Sequence, residues 1–175
     1  MQEVQKPKEG EYKPYYEHYI NLVEGNSFRL HRLRINYEEL RAFILFLPKQ
    51  KLEYRYREEK WTIKEILVHL IDTERIFAYR ALRVARNDKH DLRSFDPELY
   101  VPFSNANARS VENILEEYEA IRKSTYLLFT SFDEVAWERI GLADMNPLSV
   151  RAALYIIIGH EMHHLNIIRE RYVGM

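Results

Sequence analysis

Apolar residues recur at three- and four-residue intervals through four long stretches of the chain, and polar, proline-marked segments separate them. In the first stretch, from about Ser27 to Leu47, the residues Leu30, Leu33, Tyr37, Leu40, Ile44 and Leu47 fall on one helix face, and Pro48 ends the pattern. The second opens at Trp61-Thr62-Ile63-Lys64-Glu65, where Thr62 is placed to cap a helix and Glu65 to close a capping box. Its stripe runs through Ile63, Ile66, Leu70, Phe77, Ala81 and Val84 and fades near Asn87-Asp88. The third starts near Ser110 and carries Val111, Ile114, Leu115, Tyr118, Ile121, Thr125, Leu128, Phe129 and Phe132 at helical spacing. For the fourth, Asn146-Pro147 offers a capping residue followed by proline at the first helical position, and Gly174 is placed to end the helix after about Tyr172.

No stretch reads convincingly as a strand, so the pattern predicts an all-α fold, a four-helix bundle. The segment Lys89 to Arg109, with Pro97 and Pro102, fits no regular element and is long enough to run back along a helix of about 35 Å. A crossover of that length lets the second and third helices lie parallel as neighbours. Asp133 to Asn146 reads as another irregular connection. Residues 1–25 form a polar arm, but its Tyr12, Tyr15, Tyr16 and Tyr19 series, followed by Ile20, Leu22 and Val23, predicts that it lies on the body. The expected organisation is therefore an arm, 1–25, and one bundle domain, 26–175.

Composition sharpens this picture chiefly by exclusion. Lys and Arg number 26 against 27 Asp and Glu, interspersed, so there is no basic footprint for nucleic acid. The longest apolar run, Ala152 to Gly159, is too short to cross a bilayer, and the first residues lack a signal-peptide core, which makes the cytoplasm the expected location. Cysteine is absent, so disulfides, thiolate metal sites, iron–sulfur clusters and a cysteine nucleophile are excluded. Any metal must be held by His, Asp or Glu.

The fourth helix supplies candidates in Gly159-His160-Glu161-Met162-His163-His164. His160 and His164 are one turn apart, and Ala153, Ile156, Ile157 and Ile167 fall within about 60° of His160 around the axis, so the pair faces the bundle interior. A lone buried histidine is usually a hydrogen-bonded core residue. Two on one apolar face would each need a partner there, and a shared divalent ion satisfies both. The segment also matches the H-E-x-x-H signature of zinc proteases. Its context argues against that reading: the longer form of the motif needs a glycine and a histidine where this chain has Ile167 and Glu170, and no strand precedes the helix. Only eleven residues follow His164, too few to place a distant third ligand. A third ligand would then lie upstream, with His69 the best candidate, on the flank of the second helix in line with Ile66, Thr73, Ile76 and Arg80. His18, His31 and His90 read as surface residues.

The stretches Trp61 to Arg75 and Gly159 to Ile167, with a Phe95-Asp96 loop and an Ala108-Arg109-Ser110 helix entry between them, resemble those of the DinB superfamily, which includes the YfiT-like metal-dependent hydrolases. The resemblance implies an up-down-down-up four-helix bundle and a divalent ion, commonly zinc or nickel, held by three histidines matching His69, His160 and His164. It also implies hydrolase or thiol-dependent S-transferase chemistry on a small molecule, with a low-molecular-weight thiol as cosubstrate in the transferase case. Asp72, Glu161 and His163 are the candidate supporting groups nearest the ligands in sequence, each more suited to orienting a ligand than to acting as a base. Bundles of this kind often pair, so a homodimer is expected. The rival readings are a non-catalytic binding or stress-related bundle with structural histidines and, more remotely, bis-histidine haem ligation.

Overall fold

The computed structural model describes residues 3–174. The outermost residues of the expected arm and of the expected bundle domain, 1–2 and 175, lie outside that range. In chain order the elements are β1 (Glu3–Gln5), α1 (Glu17–Leu22), β2 (Ser27–Arg29), α2 (Arg32–Phe46), α3 (Lys49–Leu52), α4 (Ile63–Ala85), α5 (Pro97–Tyr100), α6 (Val111–Thr130), α7 (Glu134–Glu138), β3 (Ile140–Ala143), β4 (Asn146–Ser149) and α8 (Val150–Ile167). A π-helical turn, Ile168–Val173, extends α8, and Gly174 at φ 80° ends it.

The four long helices α2, α4, α6 and α8 form the four-helix bundle, and the contacts between them fix its directions. Contacts of α4 with α6 and the turn leading into it advance in the same direction along both: Asn107, just before α6, donates to Glu65 near the start of α4, and Glu117 further on pairs with Arg75. These two helices are parallel. Contacts of α4 with α8 run the other way, from Tyr172 against the Trp61 carbonyl at one end to His69 against His160 further along. Those of α2 with α6 do the same, with Tyr37 on Leu115 and Leu33 on Arg122. The topology is up-down-down-up, and the crossover from α4 to α6 makes the parallel pair possible. It carries α5 and two 3-10 turns, Val101–Phe103 and Ala106–Ala108.

The entry to α4 is the capping box its sequence predicts. Thr62 Oγ1 accepts from the Glu65 N–H at 3.1 Å, and the Glu65 carboxylate accepts from the Thr62 N–H at 2.7 Å. The entry to α8 corrects the expected one. Asn146–Ser149 is a strand paired antiparallel with Ile140–Ala143, and the helix begins after Ser149, whose hydroxyl accepts from the Ala152 N–H. The two residues at the hairpin turn, Asp144 and Met145, have φ of 55° and 57°, the primed turn that matches strand twist. Pro147 sits opposite Leu142 in this two-stranded ribbon, where a missing N–H is tolerated. A second short antiparallel ribbon pairs Glu3–Gln5 with Ser27–Arg29, at the start of what reads by periodicity as the first helix, with α1 in the connection between the two strands. Neither ribbon was visible in the apolar pattern, because strands of three or four residues are too short to show an alternation.

Among the described residues no helix is long and apolar enough to cross a membrane. The N-terminal segment is fastened to α8 at several points, one of them Tyr155 Oη donating to the Val4 carbonyl at 3.1 Å. The Glu11 carboxylate accepts from Ser149 Oγ at 2.8 Å and Arg151 Nε at 2.7 Å. Further along, α1 crosses α8 at Gly159, where any Cβ would collide with the Tyr19 backbone carbonyl. That contact sets the N-terminal tyrosines beside the histidines of α8.

Candidate metal centre

His69 on α4 and His160 and His164 on α8 converge. His69 Nε2 lies 2.9 Å from His160 Nε2, which lies 3.1 Å from His164 Nε2. His69 and His160 are buried and His164 half-buried. These are the three groups that sequence reasoning brought forward as ligands. The folding that joins them is the antiparallel packing of α4 on α8, which sets one turn of each helix against the other.

Burial holds all three rings neutral. It lowers His69 to about 4, and it lowers His160 and His164 well below the ordinary histidine value, with the neighbouring rings adding to the effect. Neutral imidazole is the form that donates a lone pair to a metal. The geometry fits such a group. A ring nitrogen carries either one proton or one lone pair, so His160 Nε2 cannot donate to one neighbour while accepting from the other. Two nitrogens bound to one ion at about 2.1 Å lie roughly 3.0–3.4 Å apart, close to the separations seen here. Among the described residues, no other group of three His, Asp or Glu side chains is gathered this closely.

The cluster opens on a cavity of about 480 Å³. Trp61 packs against two of the rings, its ring centre 4.8 Å from that of His69 and 6.5 Å from that of His164. Tyr16, Tyr19, Phe77 and Phe95 supply the other aromatic wall, and Tyr19 sets its ring edge-on to His160 at 5.2 Å. Thr73, one turn after His69, also lines the cavity, and its buried Oγ1 has no partner. Sequence reasoning did not single out these wall residues for the site. The tyrosine series was the available signal, since an arm so aromatic had to lie against something.

The three supporting candidates are dispersed. His163 lines the cavity, its ring centre 5.2 Å from His164 and 5.7 Å from His18. Burial, then His18, lowers its pKa. Asp72 pairs with Arg75 at 3.3 Å, and burial raises its pKa against that pairing. Glu161 faces away from the histidines. It accepts from Tyr118 Oη at 2.6 Å and Arg122 Nη2 at 2.5 Å, and it borders a different cavity, on the other side of α8. Among the described residues no carboxylate hydrogen-bonds any of the three converging rings, and His164 Nδ1 is buried without a partner. Of the remaining histidines, His90 is exposed and bonds Asp88, His18 is exposed and bonds the Tyr15 carbonyl, and His31 is partly buried with an unpartnered Nδ1.

Comparison with known proteins agrees with this architecture. The chain is 26% identical over 131 residues to a Geobacillus thermodenitrificans (strain NG80-2) protein described as a "putative metal-dependent hydrolase", covering 73% of this chain and 72% of that protein. Among solved structures, YfiT from Bacillus subtilis, described as "a probable metal-dependent hydrolase with an unusual four-helix bundle topology", matches with a TM-score of 0.72. That match has 16% identity and covers 95% of this chain and 91% of YfiT. The sequence model of the DinB superfamily matches residues 32–168, the stretch that contains all four bundle helices and the three converging histidines, and the chain belongs to that superfamily.

Proposed function

We propose that the chain is a metal-dependent enzyme acting on a small molecule, a hydrolase or a thiol-dependent S-transferase, with His69, His160 and His164 as the ligands of a divalent ion, zinc or nickel. The observation that carries this reading is the convergence of three neutral Nε2 atoms at 2.9 and 3.1 Å on the wall of a cavity. Three neutral ligands leave an ion its full double charge, with which it polarises a carbonyl or lowers the pKa of a water or thiol.

The surrounding residues contribute the rest. Trp61, Tyr19 and Phe77 exclude water from one side and offer flat apolar surface to a ligand body. His163 lines the cavity beside His164 and is half-exposed, which suits it to pass a proton between the interior and solvent. Glu161 is committed to Arg122 and Tyr118, so the general-base role it would have in an H-E-x-x-H protease is not assigned to it.

Metal analysis of protein purified without a histidine tag tests the site. The wild type should carry close to one equivalent, and the His69→Ala and His160→Ala variants very little; equal content in all three would sink the proposal. A thiol with electrophilic acceptors, and a panel of esters and amides, separate transferase from hydrolase. Silence in both, with an unchanged melting temperature on chelation, would favour the non-catalytic bundle.

A further inference from the structure

Arg80 lies about three turns beyond His69 on α4 and within about 20° of it around the axis, on the face that also carries Thr73. It is 3% exposed, yet among the described residues no carboxylate pairs with it. Its Nη2 donates to the Arg93 carbonyl at 2.8 Å, and its guanidinium carbon lies 5.1 Å from the Phe77 ring centre and 6.0 Å from that of Phe95. The other buried arginines are matched differently: Arg122 by Glu74 and Glu161, Arg151 by Glu11. A buried guanidinium without a directly paired carboxylate is costly, and one carbonyl, two ring faces and the more distant charge of Asp144 offset that only in part.

Arg80 borders a cavity of about 440 Å³, with Arg83, Arg93 and Asp91 as the other charged side chains in its wall. Arg83 is taken up by Asp88, and the Asp91 carboxylate accepts from the Met145 N–H at 2.9 Å. The nearby Asp144 carboxylate is engaged by Lys13 at 3.0 Å. Positive charge is left in excess around a buried fork of donors, the arrangement that recognises carboxylate and phosphate. Ser94 and Phe95 line both this cavity and the one that holds the three histidines, so the two are neighbours.

We propose that this cavity is an oxyanion site, in which Arg80 binds the carboxylate or phosphate group of a small molecule whose remainder extends along α4 toward the histidines. The direction of that remainder rests on the reading of the histidine cavity as the active site; the oxyanion site itself does not. An arginine side chain on a helix leans toward the N-terminus, so the span from guanidinium to histidine cluster is on the order of 10 Å.

The test is calorimetric titration of the full, chelator-treated chain with inorganic phosphate and with succinate at constant ionic strength. The wild type is expected to bind one or both, and the probe that binds distinguishes the two sources of the anion. Arg80→Met, which keeps the apolar stem, should weaken that binding by about tenfold or more. Arg75→Met, which removes an arginine paired with Asp72 and Glu117, should leave it unchanged. Should the methionine variant not fold, Arg80→Lys, which keeps the charge but not the fork, is read in its place with the same sign. Failure of the wild type to bind either probe, or equal binding by the wild type and the Arg80 variant, overturns the proposal. No metal enters these titrations, so a chain that takes up no metal would defeat the three-histidine reading alone.

Discussion

Two polar clusters sit back to back in the bundle, built from consecutive residues of the same helices, and they are finished in opposite ways. Thr73 and His160 face the cavity; their neighbours Glu74 and Glu161 face Arg122. The Arg122 cluster is closed. Arg122, 1% exposed as a residue, donates to Glu74 at 2.9 Å, to Glu161 at 2.5 Å and to the Leu33 carbonyl at 3.0 Å, while Tyr118 donates to Glu161. Burial opposes its charge, but the two carboxylates outweigh that and push its pKa well above the ordinary arginine value. The histidine cluster is left open: three like groups with no counter-charge, an unpartnered His164 Nδ1 and an unpartnered Thr73 hydroxyl. A cluster that satisfies itself specifies how helices pack; one that leaves lone pairs converging on a cavity is available to a ligand.

Breaking the closed cluster should have the largest effect. Arg122→Met leaves two buried carboxylates without their partner and should cost about 3–5 kcal/mol, measured by urea unfolding. Metal uptake per folded chain should be unchanged. Glu161→Gln sharpens the same point, since it should lower stability without lowering metal content. A variant that lost metal and kept its stability would return Glu161 to the histidine site and erase the distinction.

Acid should weaken the open cluster next. In the metal-free protein His69 is held at about 4 by burial, below its ordinary 6.5. Between those values the unfolded chain binds more protons than the folded one, so stability is fully present above pH 6.5 and declines as the pH falls toward 4. His69 alone contributes up to about 3 kcal/mol to that decline. Urea midpoints in chelator at pH 7.5 and at pH 5 would show it; identical midpoints would mean that the rings are not held neutral by burial.

The smallest effect is expected at Thr73. Its hydroxyl satisfies nothing in the fold, so Thr73→Val should be neutral or stabilising by up to about 1 kcal/mol in a thermal melt. A clear loss of stability would show that the hydroxyl is bonded within the protein and that the cluster is less open than its geometry indicates.

The residues that announce the bundle are local ones. Leu33, Tyr37, Leu40 and Ile44 declare a buried face by spacing alone, and all four are buried. Thr62 and Glu65 declare a helix start by chemistry that needs only the first turn. Asn146-Pro147 misled for the same reason: it is a good local signal for a helix start, but pairing with Ile140–Ala143 outcompetes it, and that pairing depends on a strand six residues upstream. At the site, the relation of His160 to His164 follows from the helix period, whereas its relation to His69 follows only from how α4 meets α8. The cavity wall was harder still to read, because Tyr19 reaches His160 through a contact between α1 and Gly159 that no periodicity encodes.

The sequence by itself determined the helical class, the four buried stripes, the absence of any cysteine chemistry of the chain's own and a pair of histidines aimed inward, because each follows from the helix period or from composition. The tertiary structure decided the rest. It sent His160 to a cavity and Glu161 to an arginine from neighbouring positions on one helix, and it left Arg80 buried beside a neighbouring cavity with no carboxylate paired to it among the described residues. Adjacent helical residues point about 100° apart, so which partners they meet is settled only by the elements that pack on each side.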